Sequence, residues 1–156
     1  LSGELDPACH RGEPSLWPAF TYFSGLARLF PRTKVFGEYH QTYKDLDSIH
    51  TIDACTGAAM LIRGELLHEV GLLDERFFMY AEDLDLCRRI GEVSKTMFYP
   101  MVAVYHEYEK GSYKNRKLLK YHLCSVIKYF NKWGWIFDKK RILRNKECLD
   151  ALSQKK

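Results

Sequence analysis

Several things are missing from this 156-residue chain. No run approaches the ~20 apolar residues that a membrane-spanning helix needs, so no such helix is expected. The five cysteines, Cys9, Cys55, Cys87, Cys124 and Cys148, are odd in number and include no C-x-x-C pair. That pattern argues against a disulfide framework or a structural zinc site and for a reducing compartment. The amino end, LSGELDPACHRGEPSLWP, has no initiator Met and no basic segment leading into an apolar one, so no signal peptide is read there and the chain reads as a fragment. Internal repeats and low-complexity tracts are also missing. Acidic residues are scarce at one end. From Lys110 to Lys156 there are fourteen Lys and Arg against three Asp and Glu, so this part carries about +11 and the rest about −7.

What is present suits one globular domain: 46% hydrophobic, 28% charged and 14% aromatic residues give enough apolar material for a core. Residues 1–50 are rich in turn formers and read as a loop-rich arm, with one helix expected in AFTYFSGLARLF, ended by Pro31. IDACTGAAMLIR, Ile52 to Arg63, reads as a buried strand whose small residues allow close approach of a backbone or ligand. GELLHEVG predicts two helical turns with Gly71 at the left-handed capping position. EDLDLCRRIG has apolar residues at helical spacing, with Gly91 placed to close the helix. KTMFYPMVAVYH, Lys95 to His106, reads as a second strand edged by Pro100. From about Ser112, Leu118, Leu119, His122, Leu123, Val126, Ile127, Phe130 and Trp133 recur at helical spacing among lysines, as one long helix or a broken pair. The order is α/β. Two strands are few for such a sheet, and the remaining ones are expected upstream of Leu1.

The chemistry-bearing residues concentrate in FFMYAEDLDLCRR, Phe77 to Arg89. Glu82 and Asp83 fall in the first turn of the expected helix, where a carboxylate accepts bonds from backbone N–H groups and complements the dipole. That structural role competes with a catalytic one. Three carboxylates, Glu82, Asp83 and Asp85, crowd behind an aromatic loop, and crowding in an apolar surround raises carboxylate pKa values toward those of a general base. Asp83 and Asp85 also spell D-x-D, but on a helix they point about 200° apart, and Asp85 is expected to pair with Arg88 or Arg89. Cys55 and Cys87 read as small core residues. His106 ends the second strand, the end at which α/β sheets place ligands. The basic, aromatic tail (Tyr121, Tyr129, Phe130, Trp133, Trp135 and Phe137 among lysines) fits an amphipathic helix on a membrane surface, with a nucleic-acid contact or a solvated face as the other readings.

TGAAMLIRGELLHEVGLLDERFFMYAEDLDLCRRIGE followed by FYPMVAVYHEYEKGS resembles the carboxyl-terminal half of bacterial family 2 glycosyltransferases of the rhamnosyltransferase-like group. The resemblance runs from about Thr56 to Ser112. It implies a partial, Rossmann-like GT-A fold divided into an arm at 1–50, an acceptor-side catalytic part at 51–112 and a basic helical tail at 113–156. It also implies inverting transfer of a sugar from a nucleotide-sugar donor to a glycan or lipid-linked acceptor hydroxyl, in bacterial surface polysaccharide synthesis. Asp83 would be the base, with Glu82 assisting; Asp85, Arg89 and Tyr80 would support the site or bind acceptor, and His106 would ligate a divalent ion. That ion, Mg or Mn, would be held mainly by a nucleotide-binding half not found in residues 1–50, since DLD at Asp45 to Asp47 follows no apolar strand. The expected location is cytoplasmic, peripheral on the inner face of the cell membrane, with the isolated fragment inactive and a homo-oligomer compatible with the tail. The competing reading is a non-catalytic, membrane-associated binding or scaffold module. The donor sugar, nucleotide and acceptor are not legible.

Overall fold

The computed structural model describes residues 5–6, 9–30, 33–41, 43–107, 115–136 and 138–143. The first helix, α1 (Leu16–Phe23), starts with Ala19 N–H donating to Ser15 O at 3.1 Å, and its Pro18 sits in the first turn, where no amide donor is needed. Gly25, at φ +80°, breaks the run, and α2 (Leu26–Leu29) follows. The single helix expected over Ala19 to Phe30 is therefore two, split where glycine alone enters the left-handed region cheaply. Pro31 lies outside the described residues.

The architecture is mixed helix and short sheet. Strand β1 (His50–Ile52) pairs antiparallel with β2 (Thr96–Phe98), in the register His50↔Phe98, Thr51↔Met97 and Ile52↔Thr96. Both strands are shorter than the sequence suggests. The run from Ile52 to Arg63 leaves the sheet after Ile52, makes one antiparallel bridge between Ala54 and Arg11, and turns at residues 57–59, which are exposed. Gly57 points its N–H away from any ladder, toward Asp83. Beyond Phe98, residues 101–107 are exposed and outside any strand. A two-stranded ribbon is marginal by itself, so helix packing carries this fold.

α3 (Gly64–Val70) closes as expected on Gly71, whose φ is +82° and whose N–H donates to Leu67 O at 3.0 Å. α4 (Glu82–Val93) runs past Gly91, because Ile90 O is capped by the Ser94 N–H instead. α5 (Arg116–Trp133) is one continuous helix, started by Asn115, whose side chain accepts the Lys117 N–H at 2.8 Å, and ended at Gly134, φ +95°. The core joins Ala54, Phe77, Ala81, Leu84, Cys87, Tyr129 and Phe130, with Cys55, Met60, Val126 and Trp133 packed against it.

This packing reverses part of the expectation for the tail. Tyr129 and Phe130 are buried and Trp133 is half-buried on α4, whereas Leu119, Leu123 and Ile127 form the exposed apolar stripe. Phe137 lies outside the described residues. A buried ionic cluster ties distant segments together. Arg88 of α4 lies 3.3 Å from Glu13, donates to Asp138 and stacks 4.4 Å over the Trp133 ring. Arg141 adds a bond to Pro14 O at 3.3 Å.

His10 is sealed into the same arm, 2% exposed and edge-on to Phe98 at 5.4 Å. Burial, reinforced by the charges of His50, Lys44 and His40, pushes its pKa down to about 4. The folded state therefore binds fewer protons than the unfolded chain between an ordinary histidine pKa of about 6.5 and about 4, so this residue withdraws stability as pH falls through that window. We expect the His10 ring signal in NMR titration to stay neutral at pH 5.5, and the urea midpoint to fall between pH 6.5 and 4. A His10 resonance titrating near 6.5 would contradict this.

Candidate active site

Two consecutive non-glycine residues, Tyr80 and Ala81, adopt left-handed backbone at φ +68° and +65°. Each costs on the order of 1 kcal/mol and persists only when its surroundings hold it. Here Ala81 is buried in the core and its carbonyl accepts the Asp85 N–H at 2.9 Å, which starts α4. The strained turn therefore delivers Glu82 and Asp83 to a fixed place on the first turn.

Asp83 is fully engaged there. Its Oδ2 accepts from the Arg11 guanidinium at 2.5 Å and from the Gly57 N–H at 3.1 Å, and its Oδ1 accepts from the Leu84 N–H at 2.8 Å. Arg11 also donates to Cys55 O at 2.9 Å. Burial disfavours the Arg11 charge, but the carboxylate of Asp83 and the Tyr39 hydroxyl outweigh it and hold the guanidinium protonated. Glu82 differs: its Oε2 is buried with no hydrogen-bond partner among the described residues. Burial raises its pKa above the ordinary glutamate value, helped by the neighbouring Asp83 charge and opposed by a bond from its own backbone N–H and by the Arg11 charge.

Asp85 faces the opposite way, as the helical angle requires. It is fully buried and accepts from Arg89 Nε at 2.9 Å and Trp133 Nε1 at 2.8 Å, with Lys132 Nζ at 2.6 Å. Arg89 in turn donates to the carbonyls of Val70, Gly71 and Leu72, fixing the end of α3. The Tyr80 ring stacks on His122 of α5 at 4.7 Å. Burial, then the Arg11 charge, lowers the His122 pKa against the opposing pull of Asp83, which keeps a neutral imidazole beside the pair. Beneath them the sulfurs of Cys55 and Cys87 lie 3.8 Å apart within the core.

The structure thus gathers Glu82, Asp83 and Tyr80 with three groups the sequence reading passed over: Arg11, His122 and the Gly57 amide. His106 lies apart from them in sequence and is exposed, in the extended segment after β2. Among the described residues no three His, Cys, Asp or Glu side chains are grouped to hold a metal ion. With Asp83 occupied by a guanidinium, these residues do not form a cation site.

Three curated proteins, all named as rhamnosyltransferases, are similar to part of this chain. The rhamnosyltransferase WbbL of Escherichia coli (strain K12) is 32% identical over 99 residues, which is 61% of this chain and 34% of WbbL. The N-acetylglucosaminyl-diphospho-decaprenol L-rhamnosyltransferases of Mycobacterium tuberculosis, strains H37Rv and CDC 1551, are each 28% identical over 115 residues, 67% of this chain and 37% of theirs. The chain spans about a third of the length of these rhamnosyltransferases. No family model matches it, and no solved structure does so significantly.

The geometry separates two acids that look alike in sequence. Asp85→Asn should leave Arg89 and Lys132 without their shared anion and lower stability by at least about 2 kcal/mol in urea unfolding. A variant as stable as the wild type would show that Asp85 does not hold α5 on α4.

Proposed function

We propose that the chain is the acceptor-side half of an inverting glycosyltransferase of the GT-A type, which moves a sugar from a nucleotide donor to a glycan or lipid-linked hydroxyl. The observation that carries this reading is the paired carboxylate at the start of α4, one member with a buried oxygen that has no hydrogen-bond partner among the described residues and the other held by Arg11, in a chain whose relatives are rhamnosyltransferases. The names of the mycobacterial relatives point to a saccharide on a lipid diphosphate as acceptor and rhamnose as the sugar moved.

The chemistry suits the residues. An acceptor hydroxyl must shed its proton while it attacks the anomeric carbon, and a partly dry carboxylate can receive it. The neutral His122 ring and the Tyr80 face form one wall beside the pair, where an acceptor sugar could rest its apolar C–H face. Donor binding and stabilisation of the departing diphosphate belong to the rest of the full-length protein.

A lipid-linked acceptor suits a protein held at a membrane surface. No described helix is long and apolar enough to cross a membrane. α5 instead exposes Leu119, Leu123 and Ile127 beside Arg116, Lys117 and Lys120, a combination that favours an anionic bilayer surface. The full chain should sediment with anionic liposomes at low salt, and Leu123→Glu with Ile127→Glu should release it. Retention unaffected by the double change would remove α5 from this role.

For the activity, the full-length protein should transfer sugar to a polyprenyl-diphosphate saccharide, and the combined Glu82→Gln, Asp83→Asn variant should lose at least about a hundredfold in kcat. Wild-type turnover in that variant, or no transfer by the unmodified protein from any nucleotide sugar, would refute the reading.

A further inference from the structure

The arm presents a surface that the paired carboxylates do not use. We propose that the aromatic face of α1 and α2 docks on an anionic lipid bilayer, as a contact separate from α5 and independent of the glycosyltransferase reading.

A short apolar helix normally spends its side chains on a core. Here they stay outside. α2 buries none of its residues, Leu29 is 71% exposed, and Phe20 of α1 is 56% exposed. Trp17, Phe30 and Val35 are exposed as well. These residues are not scattered. Ring centroids run from Phe20 to Trp17 at 5.8 Å, from Trp17 to Phe36 at 6.2 Å and from Phe36 to Phe30 at 5.4 Å. One contiguous aromatic patch therefore spans both helices and the turn that follows them. Single exposed apolar residues need no explanation, whereas a contiguous patch marks an interaction surface.

The patch is assembled in advance. Trp17 Nε1 donates to Val35 O at 3.0 Å, and the Thr33 hydroxyl donates to Phe30 O at 2.9 Å while accepting the Phe36 N–H at 3.3 Å. These bonds hold the turn at 33–36 against α1 and α2, so the rings need little further ordering when they bind.

Charge names the occupant. From Pro14 to Gly37 the sequence has no Asp or Glu, and its basic residues are Arg28, Arg32 and Lys34, so this stretch carries +3. An anionic bilayer repels carboxylates and attracts Lys and Arg near its surface. Its interfacial zone takes up Trp and Phe rings, which bury their apolar faces at head-group depth. Attachment to a membrane surface becomes stable when two signals combine. The arm supplies one of them, and α5 the other.

The test uses the full-length protein and vesicles of phosphatidylglycerol and phosphatidylcholine, with binding measured by sedimentation at low salt. Each variant is first matched to wild type by circular dichroism. Phe20→Glu with Leu29→Glu should weaken binding at least about fivefold while α5 is unaltered. Arg28→Glu with Lys34→Glu leaves every ring in place, and it should also cost at least about fivefold and flatten the salt dependence. Lipids brominated along their chains should quench part of the tryptophan emission, and Trp17→Phe should remove that quenched part. A smaller loss in either double variant, or quenching unchanged by Trp17→Phe, overturns the inference. So does a Trp17 shielded from acrylamide in the lipid-free full-length protein, because the rest of the chain would then cover the patch. A dimer that Phe20→Glu with Leu29→Glu dissolves while vesicle binding persists would assign the face to a second copy instead.

Discussion

A helix buried on most of its surface must find partners for the charged side chains it buries, because an isolated ion in the interior is prohibitively costly. α4 sets this constraint. Asp83, Asp85 and Arg88 are all buried, and each is matched from a different part of the chain: Arg11 from the arm, Lys132 and Trp133 from α5, and Glu13 with Asp138 from the two flanks. The sheet is too small to organise the molecule, so these pairings decide where the arm and α5 sit. They also account for some of the charge asymmetry, since Lys132 and Arg141 from the basic end are drawn onto acids and carbonyls of the remainder.

Local structure was legible where local physics decides it. α3 with its Gly71 cap and the start of α4 follow from apolar spacing and capping residues, while of the long helix or broken pair that spacing allowed beyond Ser112, α5 is one continuous helix. Long-range partners were not. Arg11 and Asp83 are 72 residues apart, and no pattern within either segment names the other. The run from Ile52 to Arg63 read as a strand because it is apolar, yet small residues offer a sheet little to pack, and Gly57, Ala58 and Ala59 turn outward. In α5 two apolar stripes share the helical period, and spacing alone cannot say which faces inward; the aromatic one won because it fills the space over Ala81, Leu84 and Cys87.

The D-x-D pattern illustrates the same point from the other side. Its two acids share a motif but not an environment. Asp85 pairs with α5, and Asp83 pairs with the arm. Glu82, outside that motif, keeps an oxygen unengaged among the described residues. Chemical capacity follows from what remains unpaired after folding, which a motif cannot record.

The left-handed pair Tyr80–Ala81 has a consequence for tolerance. Glycine would make that bend without strain, but it would also let the turn wander, and a misplacement of about 1 Å at a reacting group can cost on the order of a hundredfold in rate. By using two residues with side chains, one in the core and one stacked on His122, the chain converts a flexible joint into a jig. Glu82 and Asp83, which follow it directly, are thereby held in one place at the start of α4.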